Sequence, residues 1–269
     1  LGLAIRSREP TAHSRPLVTY LLFADDNWGN MRKLPDQALP ARSGGYGIYY
    51  DVSYTNAVVR AVQLGCNVID SAANYRFQRS ERSIGAALKK LSEEGFAREE
   101  LVICTKGGYL PFDGAPPRNV REYVNETFVK PGIASFEDIV GGSHCMTPAY
   151  LQSQLDQSLR NMGLECVDVY YIHNPESQLQ FISEPEFYSR LKLAFERLEQ
   201  NRSEGKLAFY GVATWNGFRV APDSGGHHSL VRIVETAREI AGESDARRIE
   251  VILRGRLVGQ FDPRTVTPQ

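Results

Sequence analysis

The sequence contains no apolar run near the roughly 18 to 20 residues that cross a bilayer as a helix, and no signal-peptide pattern opens it. Its 31 basic and 32 acidic residues are interspersed and leave a net charge of −1. That balance gives no electrostatic grip on nucleic acid or on an anionic membrane. A C-x-x-C pair is missing too. The four cysteines, Cys66, Cys104, Cys145 and Cys166, are scattered, and Cys66, Cys104 and Cys166 lie in or beside apolar runs that read as strands. Such placement suits reduced, buried thiols in a cytoplasmic compartment rather than a disulfide framework. His144, Cys145, His227 and His228 fall in irregular segments without ligand spacing, so no metal site is expected. The pair His227-His228 reads as solvated loop.

What the chain does have is enough apolar material for a core. It is 269 residues long, 42% hydrophobic and 23% charged, the proportions of a soluble globular protein able to form one domain over its whole length. It opens on Leu1 rather than Met, which sets the expectation that the natural start is not included. Residues 5–47 carry Pro10, Pro16, Pro35, Pro40 and Ser43-Gly44-Gly45 with no sustained periodicity, and read as an irregular N-terminal segment or insertion. Within reach of a first strand are Leu1–Ala4 and Leu17–Phe23.

From Ser53 the pattern becomes regular. Helix-period segments begin at Asn56, Ser80, Thr147-Pro148, Phe187 and Ser229, and Gly65, Gly95, Gly163 and Gly205 are placed to stop the first four. Between them lie apolar runs at Asn67–Asp70, Leu101–Lys106, Cys166–His173, Leu207–Thr214 and Ile249–Leu253. Strands alternating with helices argue a parallel sheet covered by helices. The count is six βα-type strands, and the tail 254–269 shows no clear strand. If the sheet closes into a (β/α)8-type barrel, the expectation is therefore an arc incomplete at its C-terminus, with exposed edge strands. A long excursion, 107–146, leaves the end of one strand and is rich in Gly, Pro and aromatics, as expected of a loop shaping a pocket.

Three successive strands end in Asp70, with Tyr75 just beyond, then Lys106, then His173. Neighbouring strand ends lie about 5 Å apart, so these side chains can converge. A tyrosine hydroxyl has an ordinary pKa near 10, too high for ready proton exchange at neutral pH. A nearby ammonium favours the tyrosinate, a carboxylate holds that ammonium, and a histidine can hydrogen-bond a carbonyl oxygen. Together they suit proton donation to a reducible carbonyl. Each member alone has a plainer explanation: Asp70 as a turn cap, Lys106 as a surface lysine, His173 as a capping or core histidine. Their joint placement at consecutive strand ends favours the chemical one.

These segments resemble the aldo-keto reductases. The likeness is carried by Gly65–Tyr75 with Ser80-Glu81 and Ile84-Gly85, by Leu101–Lys106, by Val167–Pro175, and by Gly205-Lys206 with Tyr210-Gly211-Val212. It covers roughly residues 53–253. The resemblance implies a TIM barrel that uses NADPH without a Rossmann domain, in keeping with the absence of a G-x-G-x-x-G run. It implies an NAD(P)H-dependent oxidoreductase reducing an aldehyde, ketone or sugar carbonyl, with a small-molecule partner. Tyr75 is then the general acid, Lys106 lowers its pKa, Asp70 pairs with Lys106 and touches the cofactor side, and His173 orients the carbonyl. Asn174 and Tyr109 join Tyr75 and His173 as candidate substrate contacts. Where the family usually has Ser-Asn after the fifth strand, this chain has Ala213-Thr214, so Thr214 or the nearby Asn216 is the candidate cofactor contact. The last two βα units, which carry the family's grip on the cofactor phosphates, are not found. The alternative is a truncated or non-catalytic relative acting as a binding or regulatory module.

Overall fold

The structure, a computed structural model, describes residues 21–23, 46–241, 252–253 and 256–257. Five parallel strands stand in sequence order: β1 (Leu21–Phe23), β2 (Val68–Asp70), β3 (Val102–Gly107), β4 (Val167–His173) and β5 (Leu207–Ala213). One direction and sequential order are the topology of a βα-barrel arc, the expected fold class. Between the strands run α1 (Tyr46–Gln63), α2 (Arg79–Glu93), a short α3 (Val120–Val124), α4 (Pro148–Met162) and α5 (Glu184–Ser203). Helix α6 (Leu230–Ala241) follows β5.

Residue alternation along the strands sets the two faces. Ile69, Ile103, Tyr170 and Ile172 join the main core beneath the helices, while Val68, Cys104, Val169, Tyr171 and Ala213 form a second cluster. Asp70, Lys106 and His173 share the parity of that second cluster. Period 2 thus delivers all three polar side chains to the face opposite the helices. The helix faces are those expected from periodicity: Ile84, Ala87 and Leu91 on α2, Leu151, Leu155, Leu159 and Met162 on α4, and Phe187, Leu191, Phe195 and Leu198 on α5 are buried. Each such leucine contributes about 1.5–3 kcal/mol on burial. Helices α2 and α4 approach backbone to backbone at Gly85, where an added Cβ would lie 2.7 Å from the Asn161 carbonyl oxygen and 2.9 Å from Met162 Cα. Buried Glu81 ties the same elements, accepting from Thr105 Oγ1 on β3 at 2.6 Å and from Asn161 Nδ2 on α4 at 2.9 Å.

Several expectations are corrected. Helix α1 begins at Tyr46, ten residues before the Asn56 start and inside the stretch read as irregular; that stretch lacks periodicity only up to the helix. Ile252–Leu253 is not a sixth parallel strand. It pairs antiparallel with Arg256–Leu257, in the tail where no strand was expected, because only two residues separate the pairs, enough for a hairpin and too few for a crossover. Thr147 occupies the N-cap of α4, but its side chain makes no capping bond; its hydroxyl sits 3.3 Å from Cys145 Sγ instead. His228 is not solvated. Its ring lies 5.9 Å from Phe187 and 4.5 Å from Phe218, in space left by Gly217, and burial lowers its pKa to about 4. Cys66, Cys104 and Cys145 are buried free thiols, while Cys166 is half-exposed. Leu1–Ala4, most of residues 5–45 and most of the 254–269 tail lie outside the described residues.

The 107–146 excursion is an ordered unit. Leu110, Val124, Phe128, Ala134, Ile139 and Cys145 form a small core with Tyr150 of α4 around α3 and the wide helical turn Asn125–Val129.

Candidate active site

Asp70 and Lys106 are both 4% exposed, and Lys106 Nζ donates to Asp70 Oδ2 at 2.6 Å and to the Ser71 carbonyl at 2.7 Å. Removing two charges from water is costly, and a pair this deep is retained only with short hydrogen bonds on both sides. The ammonium has a third hydrogen for a further acceptor. Its nitrogen lies 5.3 Å from the centroid of the Tyr75 ring, within cation–π range.

Tyr75 sits on a turn that no simple pattern predicts. Arg76, Phe77 and Gln78 follow it with φ of 50°, 58° and 67°, three left-handed residues in a row without a glycine. Each costs about 1–2 kcal/mol, so surrounding contacts must hold the turn. Arg76 and Arg79 both reach Asp51 on α1, at 2.8 and 2.7 Å, and the Arg76 guanidinium lies 3.8 Å over the Tyr54 ring. Gln78 donates to the Phe112 carbonyl and accepts from Asn161.

The His173 ring stands edge-on to Tyr75 at 5.6 Å and to Tyr109 at 5.1 Å. Burial first, and the Lys106 charge second, push its pKa well below the ordinary value. A neutral imidazole can donate one hydrogen bond to a carbonyl but carries no proton to give up readily. Asn174 is buried with φ 45°, and its backbone N–H donates to the Ala213 carbonyl at 2.6 Å, tying the end of β4 to β5. Asp70, Lys106, Tyr75, His173 and Tyr109 are therefore brought together.

Thr214 and Asn216 behave differently. The Thr214 hydroxyl donates to Glu176 Oε1 at 2.6 Å and accepts from the Gly217 N–H at 2.8 Å. Glu176 Oε1 also accepts from the backbone of Trp215 (2.8 Å) and Asn216 (3.3 Å), while the Asn216 side chain is exposed. Glu176, absent from the sequence-based site, thus fixes the loop after β5. The signal available was its place in Asn174-Pro175-Glu176, a carboxylate in the first turn after a strand end, suited to nearby backbone N–H groups. Gln178 and His144 were missed as well. Gln178 Nε2 donates to His144 Nδ1 at 2.9 Å, and His144 Nε2 donates to the His173 carbonyl at 2.8 Å. No group of three or more potential metal ligands occurs among the described residues. No described helix is long and apolar enough to cross a membrane.

A sequence model of the Aldo/keto reductase family matches residues 43–222. The chain belongs to the aldo/keto reductase family. Among the chain's curated relatives, the NADH-specific methylglyoxal reductase of Escherichia coli (strain K12) is 28% identical over 158 residues, covering 59% of this chain and 40% of that protein. The L-glyceraldehyde 3-phosphate reductase of the same strain is 33% identical over 146 residues, covering 50% and 33%. The chain thus spans 33–40% of the length of these two relatives. A solved aldo-keto reductase from Bacillus halodurans, in its holo form, aligns with a TM-score of 0.41 at 20% identity, covering 64% of this chain and 43% of that one.

Proposed function

We propose that this family member reduces a small aldehyde, ketone or sugar carbonyl, or runs the reverse oxidation, with NADPH as cofactor and Tyr75 as proton donor. The observation that carries the reading is the buried Lys106–Asp70 pair with its ammonium 5.3 Å from the Tyr75 ring. Relatives named for methylglyoxal and L-glyceraldehyde 3-phosphate make short aldehydes the first substrates to assay.

In this mechanism the charge on Lys106 favours the tyrosinate, so Tyr75 releases its proton to the carbonyl oxygen more readily than a free phenol. Asp70 keeps the ammonium in place. His173, held neutral, donates a hydrogen bond that orients the same oxygen, and Tyr109 and Asn174 complete the substrate contacts. Bound NADPH supplies the hydride. The exposed amide of Asn216 and the remaining acceptor position of Thr214, both at the C-terminal end of β5, fit a carboxamide group and are the proposed nicotinamide contacts.

Tyr75→Phe tests the reading. Carbonyl reduction should fall by about 10²–10⁴-fold, while quenching of protein fluorescence by NADPH stays saturable. Retained turnover would remove Tyr75 from its role. A second reading, a non-catalytic binding module, draws on the Thr214 hydroxyl hydrogen already being committed to Glu176. No fluorescence change at millimolar NADPH would favour it.

A further inference from the structure

The 107–146 loop returns to the sheet at His144, and four features meet there. His144 is 1% exposed. An amide nitrogen can only donate, so the bond from Gln178 Nε2 fixes His144 Nδ1 as acceptor and places the ring hydrogen on Nε2. That hydrogen goes to the backbone carbonyl of His173, the residue at the end of β4. The same imidazole stands perpendicular to the Tyr109 ring at 5.1 Å, and Tyr109 in turn meets His173 at 5.1 Å.

The chain is shaped around this ring. Gly108 has φ +135°, and a Cβ there would come within 2.6 Å of His144 Nε2. Short backbone bridges join Tyr109 and Val140 to His144, and the Cys145 N–H donates to the Gly108 carbonyl at 2.8 Å. Burial holds the ring neutral, with a pKa of about 4. A single-proton imidazole is the form that accepts from Gln178 and donates to His173 at once.

We infer that His144 is a positioning residue for carbonyl reduction: held in one tautomer between Gln178 and the His173 carbonyl, it fixes the His173 backbone and the Tyr109 ring, and so sets the wall of the substrate pocket. This inference rests on the reductase reading above. His144 touches neither substrate nor cofactor in this role. It acts through His173 and Tyr109, where a displacement on the order of 1 Å can cost about 100-fold in rate.

The test uses the whole chain in three forms: wild type, His144→Phe, which keeps an aromatic ring but loses both hydrogen bonds, and Gln178→Leu, which removes the bond to Nδ1 and leaves the ring held by the His173 carbonyl alone. Each is assayed with NADPH and a short aldehyde. In both variants kcat should fall between about 10- and 100-fold, with the NADPH dissociation constant from fluorescence quenching changed less than about twofold. The double variant should be no worse than the poorer single one, because both break one linkage. In the protein without cofactor, nitrogen-15 shifts of His144 at neutral pH should show Nε2 protonated and Nδ1 bare, with the Nδ1 shift moving in Gln178→Leu as its hydrogen bond is lost. Variants with wild-type kcat and KM, whatever their thermal stability, would reduce His144 to a packing residue and overturn the inference. So would a protonated Nδ1 in the wild type. A wild-type chain that binds NADPH with no reduction, or binds none, overturns the reductase reading and the positioning role with it; an active wild type with unaffected variants overturns the positioning role alone.

Discussion

Strand ends and loops contribute to this site in opposite ways. Asp70, Lys106 and His173 stand on β2, β3 and β4, and alternation along a pleated strand is enough to aim them at one face. Tyr75, Tyr109, Thr214 and Asn216 stand on loops whose shapes come from distant side chains: Asp51 on α1 for the Tyr75 turn, Tyr150 and Gln154 on α4 for the Tyr109 backbone, Glu176 for the β5 loop. The strand residues are placed by backbone regularity. The loop residues are placed by hydrogen bonds spanning 25 to 45 positions of sequence. Damage to a strand residue should therefore remove chemistry, and damage to a loop anchor should misplace it.

The sharpest way to separate the two is Lys106→Met. It leaves Asp70 charged in a buried site, so unfolding in denaturant should show a loss of about 3–5 kcal/mol, and turnover should drop at least about 100-fold. A modest rate change would break the contrast. Next comes Glu176→Leu, which strands the Thr214 hydroxyl and two backbone N–H groups. The expected stability loss is about 1–3 kcal/mol, with weaker NADPH binding by fluorescence titration and little change in the proton-transfer step. Smaller still is Asp51→Ala. Its two ion pairs are part-exposed and contribute up to about 1 kcal/mol each, but releasing Arg76 and Arg79 should slow turnover several-fold, a larger effect than melting would suggest. Equal effects on both would show that the left-handed turn holds itself.

Acid provides the mildest probe. Burial lowers the pKa of His144 and His228 to about 4 from an ordinary 6.5, and that of His173 moves down as well. Between those values the unfolded chain binds more protons than the folded one, so stability rises with pH. The contribution is complete above about pH 6.5 and is lost as pH falls toward 4. Thermal midpoints across that window should decline on acidification, and His228→Phe should flatten the decline if its ring is as dry as its aromatic neighbours imply.

Much of the strand half of this site was legible because it depends on local rules. Val68-Ile69-Asp70, Ile103 to Lys106 and Val169 to His173 each show apolar period and polar terminus in a few consecutive residues. The helix faces followed from 3.6-residue spacing in the same way. The loops resisted for a physical reason: nothing within Arg76-Phe77-Gln78 announces positive φ, since the stabilising groups sit on α1 and α4. His228 misled because a polar pair in a Gly- and Ser-rich stretch has the composition of a solvated loop, while Phe187 and Phe218 that bury it are far away or on the other side of a turn. Glu176 was readable in principle as a cap, but which N–H groups it would serve depends on β5 lying beside β4.

Gly85 carries a consequence for how far this sequence can drift. Because Asn161 and Met162 on α4 come within 2.9 Å of the position its methyl would take, even alanine there would wedge two helices apart. Asn161 also grips Gln78 and Glu81. Substitutions elsewhere on either helix can be absorbed by repacking, whereas this one would be transmitted to the phenol ten positions upstream, as a change of tilt rather than a loss of contact.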